Sequence, residues 1–294
     1  MITIFCTPKH FEGIFDIIQK NAISSWRALG KDVEIIIIGD SKGAKEVAKQ
    51  INGIYVPNVK KSPKGVPLLS DLFRIANKIS INNFLVFINA DILLPHNFLK
   101  IFSAIKLNKK RFLMIGHRWD LDVKNIINFD ITKKDKTYWP LMVKKATKHA
   151  SSGIDYFVFT KNLFKNLPDF AVGRFGYDNW LIWHARRRLI PVIDISNQVK
   201  VIHQNHHYSF NYDNLKPEKN FEKDGLENRK ITKGNGLTIN DANYELIDYN
   251  IVKKESSNFR NRNLGTMEKI YPELYYLFNF YKRIKRRYLK EYNK

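Results

Sequence analysis

Phe84-Leu-Val-Phe-Ile-Asn-Ala-Asp91 is a run of five apolar residues that ends in an amide and a carboxylate. A short run of this kind reads as a strand in the middle of a parallel sheet, covered on both faces. A carboxylate at the carboxyl end of such a strand faces the crevice where these sheets bind ligands. There it can hold a divalent cation, which neutralises a diphosphate. The competing reading is a turn-forming Asn89 and Asp91 after an ordinary strand.

Outward from this strand, segments with strand and helix periodicity alternate. Ile2-Thr-Ile-Phe-Cys6, Val33-Glu-Ile-Ile-Ile-Ile38, Ile54-Tyr-Val56 and Phe112-Leu-Met-Ile115 read as strands. Phe11, Ile14, Phe15, Ile18, Ala22, Trp26 and Leu29 recur at helical spacing, as do Leu68, Leu69, Leu72, Phe73, Ala76 and Ile79. Ser41 stands where a cap would for a helix carrying Ala44, Val47, Ala48 and Ile51, and a further helix is expected over about 96–106. This order predicts an α/β fold: a mostly parallel, Rossmann-like sheet flanked by helices, with the loops after its strands gathered along one edge. Later, Gly153-Ile-Asp-Tyr-Phe-Val-Phe159, residues 192–195 and residues 199–202 read as strands, and 178–187 as a helix. The expected division is a main domain over 1–208, an extension over 209–265 packing on it, and an aromatic and basic tail over 266–294.

The 294 residues are 44% hydrophobic, which excludes a disordered chain, and a single cysteine, Cys6, excludes a disulfide framework or a cysteine-based zinc module. Lys+Arg 50 against Asp+Glu 28 gives a net charge of +22, which favours anionic partners. No signal peptide, no membrane-length apolar run and no N-x-Ser/Thr sequon is visible, so the expected location is cytoplasmic. Between Lys282 and Lys294 there are seven Lys/Arg and one Glu, next to Tyr275, Tyr276, Phe278, Phe280 and Tyr281. That mixture suits peripheral contact with an anionic membrane, with packing of the aromatics on the main domain as the alternative. The charge is spread through the chain and no nucleic-acid module is recognisable, so no specific nucleic-acid partner is expected.

Polar groups at other strand ends extend the candidate site. Thr7 and Pro8 follow the first strand and Asp40 the second. With Asn89, Ala90 and Asp91 they could cradle a nucleotide, Asp40 accepting hydrogen bonds from a base or ribose. Arg118, Trp119 and Asp120 follow the strand at 113–115 and suit recognition of donor or acceptor hydroxyls, a surface ion pair beside a core Trp being the bland reading. Asp155 is a candidate acceptor contact, Arg174 a candidate diphosphate contact, and Asp71 either touches the nucleotide or favours its helix dipole. Gly234-Asn-Gly236 is a turn signal only, and neither a Walker A sequence nor a G-x-G-x-x-G is present. His203 and His207 are spaced like zinc-protease ligands, but Gln204 stands where the glutamate is needed.

Eight segments, FCTPKHF, EIIIIGD, KGVPLLSDLF, FINADILL, GHRWDLD, GIDYFVF, GRFGYDNWLI and VIHQNHHY, follow in that order between Phe5 and Tyr208, within a resemblance that covers residues 1 to about 245. In these the chain resembles GT-A-fold glycosyltransferases of the family 2 type, which use nucleotide-diphospho-sugars. The resemblance implies that Asn89-Ala90-Asp91 occupies the Asp-x-Asp position, with Asn89 replacing the first Asp and Asp91 as metal ligand. It implies His203 as a third metal ligand or phosphate contact, with Mn2+ or Mg2+ as the cofactor. It implies Asp178 as the general base of an inverting transfer, with Asn179 and Trp180 beside it to pack or to bind acceptor sugar; the bland reading of Asp178 is a helix N-cap. The implied partners are a nucleotide-sugar donor and a hydroxyl acceptor on a glycan or lipid-linked glycan. The competing functions are a nucleotidyltransferase that makes nucleotide sugars and a non-catalytic basic binding protein.

Overall fold

In the computed structural model, which describes residues 1–105, 111–132, 135–206, 219–280 and 283–284, the short apolar runs become the interior of one large sheet. Its strands are β1 (Ile2–Cys6), β2 (Glu34–Ile38), β3 (Ile54–Val56), β4 (Phe84–Ile88), β6 (Leu113–Ile115), β9 (Tyr156–Thr160), β10 (Val192–Asp194), β12 (Tyr244–Ile247) and β13 (Asn250–Lys253). They lie in the order β13-β12-β10-β6-β9-β4-β1-β2-β3. A second, four-stranded sheet is formed by β5 (Ile92–Leu93), β7 (Arg118–Leu121), β8 (Thr147–Lys148) and β11 (Val201–Gln204), in the order β5-β11-β7-β8. The main sheet is parallel except at β9, which runs antiparallel to β4 and β6, and at the β12–β13 edge.

The alternation of side chains along each strand feeds two cores. Ile4, Cys6, Ile35, Ile37, Val86 and Ile88 face one side, where Ala22, Ile23 and Trp26 of α1 (Ile14–Arg27) and Val47 of α2 (Ala44–Gln50) cover them. Phe5, Ile36, Ile38, Leu85 and Phe87 face the other, beneath α3 (Leu69–Ile79). There Phe73 stands 5.2 Å from Phe5 and stacks on Phe159 at 5.2 Å, with Phe164 at 5.8 Å. Two short helices, α4 (Phe129–Thr132) and α5 (Tyr138–Lys145), lie between β7 and β8 in the chain. The second core also receives α6 (Tyr177–Arg187) through Tyr177, Trp180, Leu181 and Ala185. Beyond it follow α7 (Lys219–Thr232) and α8 (Ser257–Ile270).

Several local expectations are corrected. Helix α1 begins at Ile14 rather than near Phe11, because Gly13 takes a positive φ of 52° and the Phe11 N–H is bonded to the Lys42 carbonyl. Ser41 caps nothing: its hydroxyl donates to the Pro8 carbonyl at 2.7 Å, and Gly43, at φ 84°, is the residue before α2. The segment expected as a helix over about 96–106 is a 3-10 helix, Phe98–Ala104. The extension is less separate than its polar composition suggests, since β12 and β13 complete the edge of the main sheet through β10. The expected boundary at 265 falls within α8.

Reversal of β9 matters for the site. A parallel strand delivers to the ligand rim the residues that follow it, whereas an antiparallel one delivers those that precede it. Asp155, immediately before β9, therefore meets Asn89, immediately after β4, and the Asn89 N–H donates to the Asp155 carbonyl at 2.9 Å.

Candidate active site

Asp91 is held between two imidazoles. His206 Nε2 lies 3.2 Å from Asp91 Oδ2, and His203 Nε2 lies 3.7 Å from the same oxygen. The second sheet brings them together, because β11 pairs antiparallel with β5, which follows Asp91 directly, with His203 opposite Ile92. The backbone N–H of Gln204 donates to the Asp91 carbonyl at 3.1 Å. Burial would raise the Asp91 carboxyl, but His203 and His206 outweigh it and hold the group well below the usual carboxylate range. The other oxygen, Oδ1, is buried and has no hydrogen-bond partner. One carboxylate and two imidazole nitrogens, all within 4.8 Å of one another, with an orphaned buried oxygen among them, fit a divalent cation.

Behind His203 stands Asp120. Its Oδ1 is 3.1 Å from His203 Nδ1 and 3.0 Å from Arg118 Nε, and its Oδ2 is 2.6 Å from His149 Nδ1. Strand β7 pairs parallel with β11, His203 opposite Asp120, and antiparallel with β8, Asp120 opposite Thr147, two residues before His149. Burial acts to raise Asp120, yet His203, Arg118 and His149 lower it to about 2. Burial also acts to lower His203, and Asp120 with Asp91 overcomes it, raising the imidazole to about 9. Arg118, only 8% exposed, continues the chain of charges: its Nη1 donates to Asp155 Oδ2 at 2.6 Å, and Asn89 Nδ2 donates to Asp155 Oδ1 at 2.7 Å. Arg118 is thus no surface ion pair. Asn89 spends its amide on Asp155.

Asp178 completes the rim. It is the second residue of α6, whose N-cap is Gly176 at φ 101°, so the N-cap reading of Asp178 is replaced. Burial pushes its carboxyl up to about 7; the N–H of Asn179, 2.9 Å from Oδ1, offsets part of this, and the nearby Asp155 adds to it. The Tyr177 hydroxyl is raised by its burial and, to a lesser degree, by the charges of Asp178, Asp155 and Asp91. Lys9 is lowered by burial and feels both Asp91 and Arg174. Its ammonium sits 4.2 Å from the Phe15 ring centre, and Phe15 lies 5.0 Å from the His206 ring.

The strand-end residues form a second group along the rim. Thr7 Oγ1 is the atom that a Cβ at Gly39 would meet, at 3.2 Å, and the Pro8 carbonyl receives Ser41. Asp40 accepts from Lys61 Nζ at 2.6 and 2.7 Å, and with Asp71 and Arg74 it lines an open cleft that includes Pro57, Asn58 and Lys60. Both Asp71 oxygens are taken, by the Lys60 N–H at 2.8 Å and Arg74 Nε at 2.6 Å. Ala90 is buried between Asn89 and Asp91.

Three expected site residues face elsewhere. Trp119 alternates with Arg118 and Asp120 along β7 and has Lys200 Nζ 5.7 Å from its ring centre. Trp180 is 7% exposed, stacked on His184 at 4.5 Å within the second core. Asn179 donates to the Leu237 carbonyl at 2.7 Å, pinning the turn at 234–237 to α6. Sequence reasoning missed His149, for which β7–β8 pairing is the only signal, and it passed over His206, which stands in the quoted VIHQNHHY. His207 lies outside the described residues, as does most of the tail over 282–294.

No family model matches the chain, and no curated protein matches it. Among solved structures it is similar to glucosyl-3-phosphoglycerate synthase from Mycobacterium tuberculosis in complex with Mn2+, uridine-diphosphate and glucosyl-3-phosphoglycerate. That match has 14% identity, covers 87% of this chain and 88% of that chain, and has a TM-score of 0.47. It is also similar to S. aureus TarS 1-349, solved alone and with UDP-GlcNAc, at 13% and 12% identity, TM-score 0.32 and 43% of this chain. The match spans 38% and 37% of those TarS chains.

Proposed function

We propose that the chain is a GT-A-type glycosyltransferase that moves a sugar from a nucleotide diphosphate donor to a hydroxyl acceptor, with inversion at the anomeric carbon. The observation that carries this reading is the convergence of Asp91, His203 and His206 at the end of β4, with Asp178 near enough to Asp155 of the same network for that charge to help raise its carboxyl. The matching segments named in the sequence support it. Asp91, His203 and His206 would hold the metal, and two imidazoles with one carboxylate favour Mn2+ over Mg2+. A bound divalent cation supplies charge neutralisation to the departing diphosphate.

The chain's own groups do the rest. The cleft of Asp40 and residues 57–61 receives the base and ribose, with Lys61 released from Asp40 as the nucleotide enters. Lys9 and Arg174 add positive charge beside the diphosphate. Asp178 takes the acceptor proton as the acceptor oxygen bonds to the anomeric carbon and the bond to the diphosphate oxygen breaks. Its Oδ1 is held by the Asn179 N–H, which leaves Oδ2 for that proton. Asp120 acts as a positioning residue, fixing the His203 ring so that Nε2 points at Asp91. Asp155 joins Asn89 to Arg118 and sets the floor beside Asp178.

The test is transfer and donor hydrolysis across a panel of nucleotide sugars with Mn2+. Loss of turnover in Asp91→Ala and Asp178→Ala, with far-UV dichroism unchanged, is the expected result. Full turnover in both variants, or pyrophosphate release from a sugar phosphate and a nucleoside triphosphate, would overturn the assignment.

A further inference from the structure

Large apolar side chains exposed elsewhere on the described surface are scattered, but six of them, Leu274, Tyr275, Tyr276, Leu277, Phe280 and Ile284, fall within eleven residues after α8. Tyr276 is 85% exposed, and Leu277 and Phe280 about two-thirds. Residues 275–280 and 283–284 are helical. Tyr276, Leu277 and Phe280 stand at i, i+1 and i+4, which on the helix over 275–280 is one face about 100° wide. Of the tail aromatics among the described residues, Tyr275, Tyr276 and Phe280 are exposed and Phe278 is half-buried. A chain in water gains nothing by presenting such a face unless something covers it.

The surrounding charge says what that is. The sequence from Lys282 to Lys294 carries seven basic residues and one acidic one in a chain of net charge +22. We propose that this face lies in the headgroup region of an anionic lipid surface, its rings at the acyl boundary and its basic neighbours on the lipid phosphates. A second copy of the chain is a poor occupant, because two such segments brought together would oppose like charges. No helix among the described residues is long and apolar enough to cross a membrane. The inference stands apart from sugar transfer.

The experiment is co-sedimentation of the full chain with phosphatidylcholine vesicles, with and without phosphatidylglycerol, at low and high salt. Binding to the anionic vesicles alone, weakened by salt, is expected. The triple variant Tyr276→Ser, Leu277→Ser, Phe280→Ser should bind at least about tenfold more weakly with unchanged melting temperature. Wild-type binding by that variant, or no preference for the anionic lipid, overturns the proposal. So does a dimer that the same substitutions dissociate without altering vesicle binding, or salt-sensitive duplex DNA binding that they abolish while vesicles are ignored.

Discussion

Asp178 carries its charge at a cost. Its carboxyl ionises near 7, against about 4 in an unfolded chain, so between those values the folded state holds a proton that the unfolded state has lost. Stability from this group therefore falls as pH rises from about 4 to 7. Asp178→Asn should then be more stable than wild type at pH 8, by on the order of 1–3 kcal/mol in chemical denaturation, while transfer is lost. The wild-type rate should climb through a pH near 7 and level off above it, as the base loses its proton. Asp120→Asn should weaken Mn2+ binding about 10- to 100-fold, read by the Mn2+ paramagnetic resonance signal without any substrate. Asp91 drew attention at this scale because a polar residue ending an apolar strand stands out, whereas a ligand role for His203 came from the resemblance. His149 was not, since a loop histidine gains its meaning only through a strand pairing. For Trp180 the choice between packing and sugar contact could have been narrowed, because Tyr177, Trp180, Leu181 and Ala185 recur at helical spacing, which marks a core stripe.

At the level of elements, α8 is fastened to α6 and to the turn before β12 by one carboxylate. Asp241, 2% exposed, accepts from Arg262 Nε and Nη2 at 2.8 Å each, from Thr266 Oγ1 at 2.8 Å and from the Thr238 N–H at 2.9 Å. Arg186 of α6 donates to its backbone carbonyl and, at 2.9 Å, to Asn263 of α8. Burial would raise the Asp241 carboxyl, but Arg262, Thr238 and Thr266 lower it below its ordinary value. Its contribution is thus present above the unfolded value of about 4 and drains away as pH falls below it. Arg262 is about half exposed and keeps its hydration when the partner goes, so Asp241→Ala should cost about 2–3 kcal/mol at neutral pH, seen as a lower denaturation midpoint. The gap from wild type should narrow as pH falls below about 4. The strands of the first half were readable because buried parallel strands are continuous apolar runs. The strands β12 and β13 were hidden in a polar stretch, since each sits at or near a sheet edge and buries little.

For the molecule as a whole, a nucleoside diphosphate that fits the Asp40 cleft and reaches the Asp91 cluster links two parts of the rim. Present with Mn2+ at about 100 times its dissociation constant, it should stabilise the fold by about 2.7 kcal/mol, a rise of several degrees in melting temperature. Neither the nucleotide nor Mn2+ alone should reproduce that rise. The layered α/β architecture was open to sequence reasoning because every strand–helix alternation pointed the same way. The second sheet was not, as its strands are two to four residues long and pair far along the chain, β5 with β11 and β11 with β7.

Cys6 is the chain's one thiol, wholly enclosed on β1, and burial pushes its ionisation upward, which leaves it inert to alkylating reagents. A cysteine introduced at Tyr276 would then be the one position open to a maleimide fluorophore, without removing any native residue first. An environment-sensitive dye there would report, by the colour of its emission, whether that segment leaves water when anionic vesicles are added.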